Sequence, residues 1–162
     1  MIPQKEDVYT IRGIPVPLLD RFWPFAIPYI KRALDHASGE FEVEDVKTFC
    51  TNRDMQLWLI SHNAERVVGA GTTEIIIYPR RKICRIVTLS GSNFKEWASI
   101  VEPALLEWAQ ANGCDGMEAW VRRGFVPTLK EMGYSPKFNC VIKDIPIKAD
   151  IINATDELKE SL

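Results

Sequence analysis

Val8 to Arg12 alternates apolar and polar residues and is followed by Gly13, the period-two pattern of a short strand. After the turn Ile14-Pro-Val-Pro the period lengthens. Leu18, Leu19, Phe22, Phe25, Ile27 and Ile30 recur at helical spacings, which predicts a helix. Pro24 and Pro28 fall inside it, and because an interior proline costs ~3 kcal/mol, a break is expected between Trp23 and Pro28. Val43, Val46, Phe49 and Cys50 share one face of a second helix over Val43 to Cys50. Glu42, Glu44 and Asp45 stand near its start, where the helix dipole favours carboxylates.

From Met55 the period returns to two. Met55 to Ser61 reads as a strand, His62 to Glu65 as its turn, Arg66 to Tyr78 as a long strand, Pro79 to Lys82 as a charged turn, and Ile83 to Leu89 as a third strand. The result is an antiparallel meander. Ser90-Gly91-Ser92-Asn93 breaks it and offers capping oxygens to a helix over Phe94 to Asn112, which Gly113 closes. Its expected buried stripe is Trp97, Ile100, Val101, Ala104, Leu105 and Trp108, with a kink or restart at Pro103. Gly116 to Val121 should be a strand parallel to the one ending at Leu89, since a helix crossover links them. Phe125 to Met132 reads as a short helix with Pro127 in its first turn, and Phe138 to Ile145 as a final strand.

The chain has 162 residues, 46% hydrophobic and 26% charged, which bounds it to one folded domain, placed at 1–146, with a charged tail over 147–162. A net charge of −2 excludes nucleic-acid or membrane binding by bulk electrostatics. No apolar run approaches the ~20 residues of a membrane span, and Met1 to Thr10 lacks signal-peptide order, so a cytoplasmic protein is expected. Cys50, Cys84, Cys114 and Cys140 form no close pair, so they read as reduced, mostly buried thiols and no metal is expected. The only histidines, His36 and His62, sit in no motif.

The order of elements resembles the GNAT acyltransferase fold from Val8 to about Ile145. Two segments carry the local likeness: Leu105-Leu-Glu-Trp-Ala-Gln-Ala-Asn-Gly113, similar to the end of that family's long central helix, and Leu129-Lys-Glu-Met-Gly-Tyr134, similar to its short helix with a closing Gly-aromatic pair. The run from Gly113 through Trp120-Val-Arg-Arg123 to Tyr134 resembles small GNAT-like proteins of phages and prophages. The resemblance implies an α+β fold in three layers: a mixed, mostly antiparallel central sheet with a parallel pair at its centre and helices on both faces.

It also implies acetyl-CoA or a related acyl-CoA as cofactor. The backbone of Val87, Thr88 and Leu89, freed where the strand parts from its parallel neighbour, would bond the pantetheine arm. Gly91, Ser92 and Asn93 would meet the pyrophosphate at the helix N-terminus, with Arg122 alongside. The family's Gln/Arg-x-x-Gly-x-Gly/Ala positions fall on Asn93, Glu96 and Ala98, of which only Ala98 matches, and Glu96 would oppose a pyrophosphate unless it turns outward. Ser92 and Asn93 can equally be a helix cap alone. The family's acidic tyrosine falls on Leu129 and its cofactor asparagine on Arg122, so neither is retained. Tyr134, Tyr78 or water is left as proton donor, and Glu74 as a base if it faces the cleft rather than solvent. Arg122 and Arg123, with Arg80, Arg81 and Lys82, are either solvated surface charge or a trap for CoA phosphates. Two functions follow: acyl transfer from acyl-CoA to an amine, or a non-catalytic binding or structural role on the same fold, such as a phage virion or assembly component with protein partners.

Overall fold

The computed structural model describes residues 6–147 and 155–161. Strands β1 (Tyr9–Ile14), β2 (Gln56–His62), β3 (Arg66–Ile77) and β4 (Lys82–Gly91) form the expected antiparallel meander, and β5 (Gly116–Ala119) lies parallel to β4. Spatial order follows chain order, so β5 is an edge. Helices α1 (Leu19–Leu34) and α2 (Val43–Thr51) cover one face and α3 (Phe94–Ala111) the other; α4 (Val126–Glu131) follows β5.

Alternation in β2 explains the layers. Leu57 and Leu59 pack under α1 with Trp23, Ala26 and Ile30, whereas Trp58 and Ile60 point the other way and pack under α3. A strand apolar at both parities is buried on both faces. α2 starts at a capping box in which Glu42 and Asp45 each serve the other's backbone, the Glu42 amide donating to Asp45 Oδ2 at 2.8 Å.

Four expectations are corrected. First, α1 is one helix through Pro24 and Pro28. Both prolines are exposed, so water can serve the carbonyls they leave unpaired, while Trp23, Ala26 and Ile30 anchor the buried face. Second, α3 continues through Pro103 without a restart, and its buried face is Trp97, Ala98, Val101, Leu105 and Ala109; Ile100 and Ala104, expected in the buried stripe, are exposed. Third, β5 stops at Ala119, leaving Trp120 and Val121 exposed. Fourth, Phe138 to Ile145 forms no strand, so the parallel pair closes the sheet instead of standing inside it. Of the expected tail, 148–154 and residue 162 lie outside the described residues, and 155–160 is helical.

Gly69 and Gly91 face each other across β3 and β4 beneath the Trp97 ring. A Cβ on Gly91 would stand 2.6 Å from the Val68 carbonyl oxygen and 2.8 Å from Trp97 Cζ2. Backbone lies on one side and a fully buried ring on the other, so neither neighbour can yield cheaply. Gly91→Ala is therefore expected to destabilise the fold by ~1–3 kcal/mol, read as a lower urea midpoint at unchanged slope. An unchanged midpoint would mean that Trp97 is not seated as described.

Candidate functional site

The pairing of β4 with β5 runs only from Ile83–Gly116 to Ile86–Ala119. Beyond it, Val87 to Gly91 continue beside β3, and among the described residues no strand lies on their other side. Val87 is the extra residue of a bulge, since Thr72 pairs with Thr88 and Thr73 with Ile86, and a bulge bends and twists its strand. On the β5 side Trp120 swings outward; its Nε1 donates to Glu118 Oε1 at 3.1 Å, and its ring lies 4.4 Å from the Arg85 guanidinium carbon. The two strands part at this point.

Two spaces lie beside the gap. The inner one is an apolar slot of about 40 Å³, bordered by Thr88, Leu89, Phe94, Leu129, Met132 and Tyr134. The outer one is a cleft of about 540 Å³ at the start of α3, bordered by Asn93, Lys95, Glu96, Arg122, Gly124 and Thr128. Asn93 holds the N-cap position in the left-handed conformation (φ 59°), and no side chain caps the helix. The expected Ser92 or Asn93 side-chain cap is thus not made. The Glu96 amide donates to the Asn93 carbonyl, but those of Phe94 and Lys95 meet no acceptor among the described residues and remain available to an anion. Ser92 has both backbone groups engaged: its amide donates to the Val68 carbonyl at 2.8 Å and its carbonyl accepts Trp97 Nε1 at 2.7 Å. Glu96 turns toward β1, where its Oε2 accepts the Tyr9 hydroxyl at 3.0 Å.

The structure therefore brings Asn93 and Arg122 to one cleft and sets Thr88 and Leu89 along the slot. Thr88 spends its hydroxyl on Thr72, 2.8 Å away, and Val87 packs toward the α1 cluster. Gly91 lies at the end of β4, in the close packing described above. Tyr134 reaches the slot and donates to Glu102 Oε1 at 3.2 Å. Burial first, and Glu102 second, raises the Tyr134 pKa far above the ordinary tyrosine value. Glu74 lies on the other face of the sheet. It forms a row with Arg85 and Glu118, in which Arg85 Nη1 donates to Glu74 Oε1 at 3.0 Å and Nη2 to Glu118 Oε2 at 3.5 Å. Arg81 pairs with Asp115 and Lys82 reaches the Asn112 carbonyl, so these two hairpin cations serve the chain at the far end of α3 and do not join Arg122.

Sequence reasoning missed Lys95, Thr128, Arg85 and Glu118. Lys95 looked like any solvated helix residue. The other signal was legible in principle, since Glu74, Arg85 and Glu118 are charges inside otherwise apolar strands. Burial pushes the Cys84 thiol up to about 12 and Cys50 up to about 11, which leaves both protonated and poor nucleophiles. Among the described residues no three His, Cys, Asp or Glu are grouped as metal ligands.

No family model and no curated protein matches this sequence. Solved structures do. An aminoglycoside acetyltransferase from an uncultured soil metagenomic sample, in complex with sisomicin, superposes with a TM-score of 0.63 at 10% identity, covering 86% of this chain and 97% of that one. Glucosamine-6-phosphate N-acetyltransferase from Arabidopsis thaliana gives 0.60 at 16% identity, covering 86% and 99%. An aminoglycoside N-acetyltransferase in complex with CoA gives 0.62 at 11% identity, covering 91% and 100%. The likeness is one of fold: this chain has the fold of the GNAT acetyltransferases.

Burial raises the Glu102 pKa, and the Tyr134 hydrogen bond opposes the rise. A carboxyl whose folded pKa is raised favours folding when protonated; that contribution is complete below the unfolded value and is lost as pH rises through the folded one. Glu102→Gln keeps an acceptor for Tyr134 and removes the charge. It is expected to melt above wild type at pH 7, with the two melting temperatures converging as pH falls toward ~4. A variant that melts below wild type at pH 7, with no convergence, contradicts this.

Proposed function

We propose that this chain binds an acyl-CoA thioester and transfers its acyl group to an amine. One coincidence carries the reading: the strands part beside the place where uncapped α3 amides, Lys95 and Arg122 converge on one cleft. Two cations, free amides and the helix dipole suit a diphosphate, and Glu96 is drawn aside by Tyr9. The unpaired edge of β4 from Val87 to Leu89 offers main-chain groups to an amide-bearing arm. The slot admits only about one or two waters, so Leu129 and Met132 must move outward with α4 for such an arm to enter.

Bound acyl-CoA would supply an activated acyl carbon, at which a new C–N bond replaces the C–S bond. The chain's own residues divide the rest. Glu74 and Glu118 surround one guanidinium and leave a net negative charge, which attracts an ammonium and can accept its proton. The Tyr134 hydroxyl is spent on Glu102, so in this reading the tyrosine holds α4 to α3, and the leaving thiolate takes the proton that the attacking amine sheds, relayed through water.

A second reading rests on Leu129, a buried apolar residue walling the slot: a non-catalytic protein on this fold, such as a phage virion or assembly component. Calorimetric titration with acetyl-CoA separates the two. Micromolar binding is expected, weakened at least ~10-fold (~1.4 kcal/mol) by Arg122→Glu and tightened by Glu96→Gln. No heat with millimolar ligand removes the transferase and leaves the scaffold.

A further inference from the structure

Tyr9 opens β1 and Glu96 lies in the first turn of α3, yet a 3.0 Å hydrogen bond joins them across 87 residues of sequence. The two ends of that bond are held differently. The Tyr9 ring packs against the cluster of Ile60, Val68, Trp97, Ala98 and Val101 beneath α3. It also stands opposite His62 across the β1–β2 pair, with ring centroids 5.0 Å apart, and His62 Nε2 lies 2.8 Å from Asp7 Oδ1. Packing therefore fixes where the hydroxyl points. Glu96 is exposed and borders the cleft that Lys95 and Arg122 share, so the position of its carboxylate depends on the Tyr9 hydroxyl.

The start of α2 shows what a carboxylate does at this place in a helix when nothing diverts it. Asp45 holds the same third position, and its Oδ2 accepts the Glu42 amide at 2.8 Å, which keeps the charge at the mouth of its own helix. At α3 the carboxylate is turned to β1 instead, and the Phe94 and Lys95 amides meet no acceptor among the described residues. Asn93 is left-handed (φ 59°) where Glu42 is extended (φ −101°). A released Glu96 would thus meet those two amides and the neighbouring cations, without closing the same box. Its charge would then stand where an incoming anion has to go.

Resting on the acyl-CoA reading, we propose that Tyr9 is a positioning residue for the anion cleft. Its hydroxyl keeps Glu96 on the β1 side; without it Glu96 folds back over the start of α3 as an internal anion and competes with the diphosphate of the incoming thioester. Tyr9 itself touches neither ligand nor reacting atoms. Access to the cleft is set from the opposite edge of the sheet.

Calorimetric titration of coenzyme A into the full chain, Tyr9→Phe, Glu96→Gln and the double variant tests this. Phenylalanine keeps the ring and its packing, so an unchanged far-ultraviolet spectrum is expected. Apparent affinity follows the fraction of molecules with an open cleft, so Tyr9→Phe should weaken binding ~3–10-fold, while the double variant binds as tightly as Glu96→Gln alone. Equal affinities of wild type and Tyr9→Phe overturn the proposal, as does a loss that persists in the double variant, the mark of a merely structural tyrosine. Should Tyr9→Phe fail to fold, Glu96→Asp replaces it: the shorter acid keeps its charge on the helix as Asp45 does and should weaken binding by the same factor, and unchanged binding overturns the proposal. Amide resonances recorded without ligand separate this from failure of the acyl-CoA reading. Tyr9→Phe should shift Phe94 and Lys95 in the wild-type background and leave them in place in the Glu96→Gln background. If those shifts appear and coenzyme A gives no heat with any of the proteins, the acyl-CoA reading falls and the hold of Tyr9 on Glu96 stands; if they are missing, the role of Tyr9 falls whatever coenzyme A does.

Discussion

β3 holds β4 along most of its length, but β5 holds β4 for only four residue pairs, and the candidate site exists because of that difference. A parallel strand that continued past Ala119 would close the edge of Val87 to Gly91. Two local features prevent it. The bulge at Val87 turns β4, and the Arg85–Trp120–Glu118 contacts draw the departing chain outward. Packing elsewhere keeps β4 rigid while one edge is open: Trp97, seated on Gly69 and Gly91, fixes the start of α3 against the end of the sheet. The same tryptophan that completes the core therefore sets the position of the helix amides that face the cleft.

The two faces of the sheet divide the chemistry. On the α3 side lie apolar side chains and the Tyr134–Glu102 pair, next to a cationic mouth. On the α1 side lies the charged row of Glu74, Arg85 and Glu118. An elongated anionic ligand entering from one side and a cation approaching from the other would meet at the gap, which is how a bisubstrate site can be built from a sheet without a deep pocket.

Most of the fold was legible because apolar positions recur near every 3.6 residues over α1 and α3, whereas β2 to β4 are β-branched and apolar runs bounded by turn residues. The prolines misled because their cost was weighed alone. Burying side chains such as Trp23 and Ile30 contributes ~1.5–3 kcal/mol each, enough to offset an interior proline on the solvent side. The pattern at Phe138 to Ile145 states what those residues need and not where they find it, since a strand forms only against an edge. Of the site, Asn93 and Arg122 could be placed from the element order. Lys95 and the Glu74–Arg85–Glu118 row could not, because they depend on helix phase and cross-strand register, which spacing along one strand does not fix.

Amide chemical shifts in a ¹⁵N-labelled sample titrated with coenzyme A test the open edge most directly. The account predicts that Val87, Thr88, Leu89, Phe94 and Lys95 move together while β1 and α2 stay still. Shifts confined to other surfaces, or none at saturating ligand, would show that the gap between β4 and β5 binds no thioester carrier.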